Sequence, residues 1–269
     1  MSLAYCQFVQ ELLDMQHLER VPPSDIDNSN HFYLPHHCVL KDDSTTTKLR
    51  VVFDASAKST SGFSLNDCLM VGPKLQDNLF DILVRFRFFK VAMSADVAKM
   101  YRQVELDQKD RDYHRLLWRF NFKTPVETYR MTRVIYGVAS AAYHSIRALQ
   151  ECAKDTGVPS DAQQAMQRDF YVDDILTGAN SEEAAIKLQS NLISTLKKGQ
   201  FDLRKWTSSL ASVVLHLPEE YREGNENQQF LDKEHSIKTL GALTRMHFLS
   251  KWLIWMNTWG KRSSHRARC

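Results

Sequence analysis

The tetrapeptide Tyr171-Val172-Asp173-Asp174 constrains the fold of this chain more than any other feature. Apolar residues flank it, Phe170 on one side and Ile175-Leu176 on the other, so two short β segments are expected to meet there in a tight hairpin. Adjacent carboxylates at a hairpin tip repel each other, and exposing them costs little only if a cation binds. Alone, the pair also reads as a solvated acidic turn. A second acidic strand end, 77 residues before Asp173, sharpens the reading: Val91-Ala92-Met93-Ser94-Ala95-Asp96 is an apolar run closing on a carboxylate. The two segments make sense together if they lie on adjacent strands of one sheet.

The rest of the chain supplies the other layers. Leu3, Cys6, Val9, Leu12 and Leu13 recur at helical spacing over residues 3–19, and Val21-Pro22-Pro23-Ser24 then opens a polar linker reaching Asn30. His37-Cys38-Val39-Leu40, a polar run from Lys41 to Lys48, and Val51-Val52-Phe53 read as strand, turn and strand. Helices are expected over 74–89 and 139–155, and strands over 113–120 and 128–134. The clearest helix is 181–198, with Ser181 as cap, Glu182 and Glu183 in its first turn, Lys197 and Lys198 in its last, and Gly199 ending it. A strand with alternating faces follows from Phe201. This order indicates an α+β fold with helices packed on an antiparallel sheet. At 269 residues, and about 150 per domain, the chain makes one large domain or two small ones.

Composition excludes several classes. With 43% hydrophobic and 25% charged residues the chain is neither disordered nor low in complexity. No apolar run approaches the roughly 18 residues of a membrane span, so no membrane partner is expected. Residues 1–7 show neither a basic region nor an apolar core, so no secretory leader is expected. Five scattered cysteines without a C-x-x-C pair argue against a zinc ribbon or disulfide framework and for a reducing, cytoplasmic compartment. The seven basic residues after Glu234 meet no acidic one, which leaves residues 1–234 at −4 against a whole-chain charge of +3. A basic tail of that kind can attract a polyanion.

Several residues could carry chemistry. Asp96 and Asp173, on adjacent strands, could clamp two Mg²⁺ ions about 3.5–4 Å apart, one activating an attacking 3′-hydroxyl and the other holding a triphosphate. Tyr101 follows Asp96 by five residues on the same element and could lie under a nucleotide sugar, excluding a 2′-hydroxyl; a core aromatic is the competing reading. Lys41, Lys48 and Arg50 of the N-terminal hairpin could hold β- and γ-phosphates, or simply face solvent. Gly137, after Tyr136, lets backbone approach a base or phosphate closely. Lys205, ending the strand after the long helix, could donate a proton to pyrophosphate, although a surface lysine is the simpler reading. His36-His37-Cys38 lie in one strand and cannot all face one ion, which favours packing over metal binding.

Asp96 with Tyr101, Tyr136-Gly137, Tyr171-Val172-Asp173-Asp174 and the Gly199 to Lys205 segment follow the order of reverse transcriptase motifs A to D. Longer strings resemble the BEL/Pao class of LTR retrotransposons: Tyr33-Leu34-Pro35-His36-His37, the run from Thr45 to Ser56, Leu65-Asn66-Asp67-Cys68-Leu69 and Gly72-Pro73-Lys74-Leu75-Gln76. The resemblance covers residues 29–207, preceded by a helix and linker (1–28) and followed by a poorly matching basic segment (208–269).

The resemblance implies a right-hand polymerase with fingers and palm, its antiparallel palm sheet packed on helices and its thumb incomplete or absent. The activity implied is DNA synthesis on an RNA or DNA template with primer, from deoxynucleoside triphosphates, with two Mg²⁺ ions as cofactor and Mn²⁺ as substitute. By position Asp96, Asp173 and Asp174 match the metal-binding aspartates, with Val97 offering a backbone carbonyl. Tyr101 matches the steric gate, Arg50 the triphosphate-binding arginine, Gly137 the motif B glycine, Lys205 the motif D lysine and, loosely, Lys41 the fingers-loop lysine. Ala142 stands where many relatives carry a proline, and from Ala242 the sequence stops matching. The implied protein is a fragment of a retrotransposon polyprotein, located in the cytoplasm or in retrotransposon particles. Two other readings stay open: a catalytically silent nucleic-acid-binding remnant, and an RNA-dependent RNA polymerase, against which Tyr101 and the Tyr-Val-Asp-Asp form argue.

Overall fold

The computed structural model describes residues 2–40, 49–223, 236–239 and 242–245. In chain order its elements are α1 (Ser2–Asp14), β1 (Leu18–Arg20), β2 (His36–Leu40), β3 (Leu49–Phe53), α2 (Leu65–Cys68), α3 (Leu79–Phe88), β4 (Val91–Val97), β5 (Arg115–Trp118) and β6 (Glu127–Met131). There follow α4 (Ala141–Cys152), α5 (Ser160–Arg168), β7 (Phe170–Tyr171), β8 (Asp174–Ala179), α6 (Glu182–Lys198), β9 (Leu203–Ser208), α7 (Ala211–Leu215), β10 (Ser236–Thr239) and β11 (Ala242–Arg245). The architecture is α+β, every strand pair is antiparallel, and no helix among the described residues is long and apolar enough to cross a membrane. The hairpin β10–β11 begins its second strand at Ala242, the residue from which the sequence stops matching.

The chain forms two compact units. The first comprises Met1–Gln76, Ala98–Val158 and Thr195–Phe201, and the second Asp77–Val97, Pro159–Ser194 and the chain from Asp202. The first unit holds the three-stranded sheet β1-β6-β5 and the hairpin β2–β3. Its core gathers Val9 and Leu12 of α1 with Leu18, Phe53, Met131 and Ile135. Helical spacing puts Val9 and Leu12 on one face of α1 and leaves Leu3 in solvent.

Beside this apolar core lies an ionic one. Arg115, wholly buried, donates to Asp112 Oδ1 at 3.0 Å and to the Ile26 carbonyl at 2.9 Å. Arg130 reaches Glu19 Oε1 at 2.7 Å, Asp25 Oδ2 at 2.9 Å and Asp112 Oδ1 at 3.1 Å. Guanidinium forks tolerate such burial because their donors meet carboxylate and carbonyl oxygens. Asp25, Ile26 and Asn28 of the polar stretch before Asn30 thus act as partners of the sheet rather than as free linker.

His17 is one acid-sensitive group of this unit. Burial first, then the nearby Arg102, Arg133 and Lys99, lower its imidazole to a pKa of about 4. A depressed histidine stabilises the fold fully above its unfolded value near 6.5, and that contribution is lost as pH falls toward 4. Melting temperatures measured from pH 7 to pH 4 are therefore expected to fall, and His17→Gln to remove about one proton from that slope. An unchanged slope would show that His17 does not titrate this way.

The second unit is built on the four-stranded sheet β7-β8-β4-β9. Ile82, Leu83 and Phe86 of α3 pack on Ala92 and Leu176 of the two central strands, with Tyr171 partly buried against them. Strand β4 is buried along nearly its whole length and opens to solvent only at Asp96. That burial explains its apolar run, whose one polar member before the carboxylate, Ser94, meets Thr207 Oγ1 at 2.7 Å.

Candidate active site

The site stands at one end of the second unit's sheet. Strands β4 and β8 pair with Asp96 directly across from Asp174. Strand β7 returns into β8 through Val172 and Asp173, with Tyr171 opposite Asp174. Val172, the first of the turn's two central residues, has φ +57°. That first position normally holds glycine, because a β-branched side chain there costs on the order of 1–3 kcal/mol. Such strain persists only where the surroundings over-determine it. Here the Val97 amide donates to the Asp173 carbonyl at 2.7 Å and ties the turn to the end of β4.

The electrostatics follow from this crowding. The half-buried Asp173 carboxyl is pushed above the usual carboxylate range, mainly by burial and further by Asp96, with Lys205 pulling the other way. Lys205 Nζ stands 2.8 Å from Asp96 Oδ2. Burial alone would lower the lysine, but the hydrogen bond and charge of Asp96, helped by Glu223 and Asp174, raise it. A bulge brings it there. Between its pairings with Ser94 and Asp96, β9 spends one residue more than β4, and Lys205 within it takes φ +54°. Bulges re-aim side chains in this way beside functional sites. The sequence places Lys205 at a strand end; the strand in fact continues to Ser208.

Oxygen donors from one strand end and one turn suit a hard cation. Among the described residues no three His, Cys, Asp or Glu side chains gather tightly enough to hold an ion unaided. Mg²⁺ does not require that, since it binds through one or two carboxylates and keeps water or phosphate oxygens for its other positions. The Lys205 ammonium beside Asp96 shows that the place favours positive charge. The residues fit the ion.

Behind the turn, Asp169 accepts from Thr177 Oγ1 at 2.8 Å and faces Arg85 Nε at 3.6 Å, while Arg85 also pairs with Asp77 at 2.8 Å. Sequence reasoning passed over this support. Its one signal is a carboxylate four residues ahead of Asp173, directly before the apolar Phe170.

The remaining candidates lie in the first unit. Tyr101 is not on the strand of Asp96, which ends at Val97; it sits in the 3-10 helix Met100–Gln103, after Lys99 at φ +53°, against the first unit's core. Arg50, exposed on β3, holds its guanidinium 5.7 Å from the Tyr136 ring centroid, and the Tyr136 hydroxyl donates to the Val51 carbonyl at 2.6 Å. The next residue, Gly137, has φ +93°, and a Cβ there would stand 2.2 Å from the Phe53 carbonyl oxygen. Asn66 clamps the same turn, giving a hydrogen to the Gly137 carbonyl at 3.0 Å and taking one from the Ala139 amide at 2.8 Å. Arg50, Tyr136 and Gly137 are thus brought together. Lys41 and Lys48 lie outside the described residues. His36 serves packing: its Nε2 is 3.2 Å from the Leu117 carbonyl and its Nδ1 meets the Tyr5 hydroxyl.

No protein-family model matches the chain, and no curated protein matches it. Among solved structures it is similar to the foamy viral protease–reverse transcriptase dRH in complex with double-stranded DNA, at a TM-score of 0.56 and 15% identity over 74% of this chain and 30% of that one. It is also similar to the native prototype foamy virus protease–reverse transcriptase, at a TM-score of 0.52 and 14% identity over 74% of this chain and 23% of that one. The chain therefore spans less than a third of the length of either. At these identities the likeness is one of fold: antiparallel sheets and helices arranged as in a retroviral reverse transcriptase region.

Proposed function

We propose that this chain is the fingers and palm of a BEL/Pao-type reverse transcriptase, which extends a primer on RNA or DNA templates from deoxynucleoside triphosphates. The observation that carries the reading is the register placing Asp96 opposite Asp174, beside a strained turn whose Asp173 carbonyl is tied to Val97. The reverse-transcriptase-like fold supports it, as does the order of the motifs.

Asp96, Asp173 and Asp174, with the Val97 carbonyl, would hold Mg²⁺, which when bound supplies positive charge to the attacking 3′-oxygen and the triphosphate. The chain's own residues then act mostly by position and charge. Lys205 keeps a proton on Nζ, where it would offer a cation and a donor to leaving pyrophosphate, with Asp96 among the residues that would hold the ion. Arg50, braced over Tyr136, presents a fork suited to phosphate, joined by Lys41 and Lys48. Tyr101 acts as the sugar gate. Template and primer are held through phosphates, so binding weakens as salt rises.

The test is primer extension by the full chain on RNA and DNA templates, beside duplex binding on the same preparation. Extension on both templates is the expected result. Binding without extension at saturating Mg²⁺ and nucleotides would instead favour the silent remnant, and loss of both would overturn the two readings together.

A further inference from the structure

The first unit contains a cleft of about 720 Å³ that shares no residue with the carboxylate site. That size suits a small organic ligand. Its floor is apolar and buried, formed by Leu65, Val134 and Val138. Two aromatic residues with substantial exposure, Phe63 at 62% and Tyr113 at 38%, stand among its walls. The turn that presents Phe63 is closed by the Ser59 amide on the Phe63 carbonyl at 2.9 Å and the Gly62 amide on the Ser59 carbonyl at 3.0 Å.

The formally charged groups lining this cleft share one sign, and they stand beside serine hydroxyls and the imidazoles of His31, His114 and His144. None of its lining residues is lysine or arginine, and its formal charges are the carboxylates of Glu105, Asp107 and Asp110. Glu105 is paired with Arg111 and Arg133, and Asp107 with Lys109. Asp110 makes no ion pair among the described residues. His114, only 7% exposed and among the lining residues, gives its Nδ1 hydrogen to the Asp110 carbonyl at 3.3 Å, which leaves Nε2 of the neutral ring as an acceptor. Burial holds that ring below the usual histidine range and therefore neutral. An acceptor nitrogen, an uncommitted carboxylate and two aromatic faces over an apolar floor repel a phosphate and attract a donor-rich cation.

We propose that this cleft binds an organic cation carrying an apolar body, an amidinium or guanidinium seated on Asp110 and His114 with its stem against Phe63 and Tyr113. The cation could belong to a free arylamidine or to an arginine side chain of a partner, and the chemistry of recognition is the same.

The full chain is titrated by calorimetry and saturation-transfer NMR with benzamidine, with its neutral analogue benzamide, and with acetyl-arginine amide. Benzamidine is expected to bind at least tenfold more tightly than benzamide. Asp110→Asn is expected to weaken benzamidine about fivefold or more and leave benzamide unchanged, and Phe63→Ala to weaken benzamidine as well. Both positions are exposed, and unchanged melting curves verify the fold. Preference for acetyl-arginine amide over benzamidine supports an arginine-bearing partner, and the reverse supports a free aromatic cation. Equal binding of benzamidine and benzamide, insensitivity to Asp110→Asn, or no saturable binding would each overturn the site.

Discussion

Asp173→Asn is expected to reduce Mg²⁺-dependent primer extension by a factor on the order of 10³ or more, in a protein that melts no lower than the wild type. The first half follows from charge: the amide keeps the shape and one acceptor oxygen but cannot match a carboxylate opposite a metal and a developing alkoxide. The second half follows from the cost of that carboxylate. Burial and the neighbouring Asp96 raise the Asp173 carboxyl in the folded chain. A carboxyl raised by folding contributes stability below its unfolded pKa and loses it as pH rises through the folded value, so at neutral pH the ionised group is a net burden. The turn itself rests on backbone, on the Val172 conformation and the Val97 hydrogen bond, and the amide disturbs neither. Single-nucleotide extension rates and melting curves at pH 7.5 check both halves. Wild-type extension would remove Asp173 from the site, and a large fall in melting temperature would mean the loss of activity came from unfolding.

This trade of stability for charge was partly visible in the chain itself. The hairpin at Asp173 could be read because Phe170 and Ile175-Leu176 bracket the acidic pair, and α6 because its caps and charges agree with its stripe of Ala185, Leu188, Leu192 and Leu196. Helix α5 could not. Its buried face, Ala162, Ala165 and Met166, has helical spacing but fills a single turn, two of its three members are alanines, and Pro159 before it reads as a turn. Nor could the bulge that turns Lys205 onto Asp96, since an extra residue in one strand shows only against its partner's register. The Arg115–Arg130 network was hidden for a different reason. Its charges look solvated until Asp112, 18 residues before Arg130, and Glu19, 111 residues before it, converge on one guanidinium. What a strand end or helix cap needs is local and leaves a trace, whereas pairing across long separations leaves none.

Gly137 shows the same limit and supplies the second large effect. Read in sequence, it allows a base or phosphate to come close; in the fold, what comes close is the Phe53 carbonyl, 84 residues away. Gly137→Ala is expected to cost roughly 3–5 kcal/mol, since it adds left-handed strain of about 1–2 kcal/mol to a methyl forced against backbone that cannot rotate aside. Gly62 is the control. It has φ +83°, but a Cβ there meets nothing within 4 Å, so Gly62→Ala should cost only about 1 kcal/mol of the same strain. Urea unfolding of the two variants measures the difference, and equal losses would show that the Phe53 contact carries no weight. Activity separates the readings further. If Gly137 served only a nucleotide, Gly137→Ala would lose extension and cost no more stability than Gly62→Ala. If it holds β3 in place, the variant should lose stability, and extension should fall with it as Phe53 moves and Arg50 leaves its seat over Tyr136.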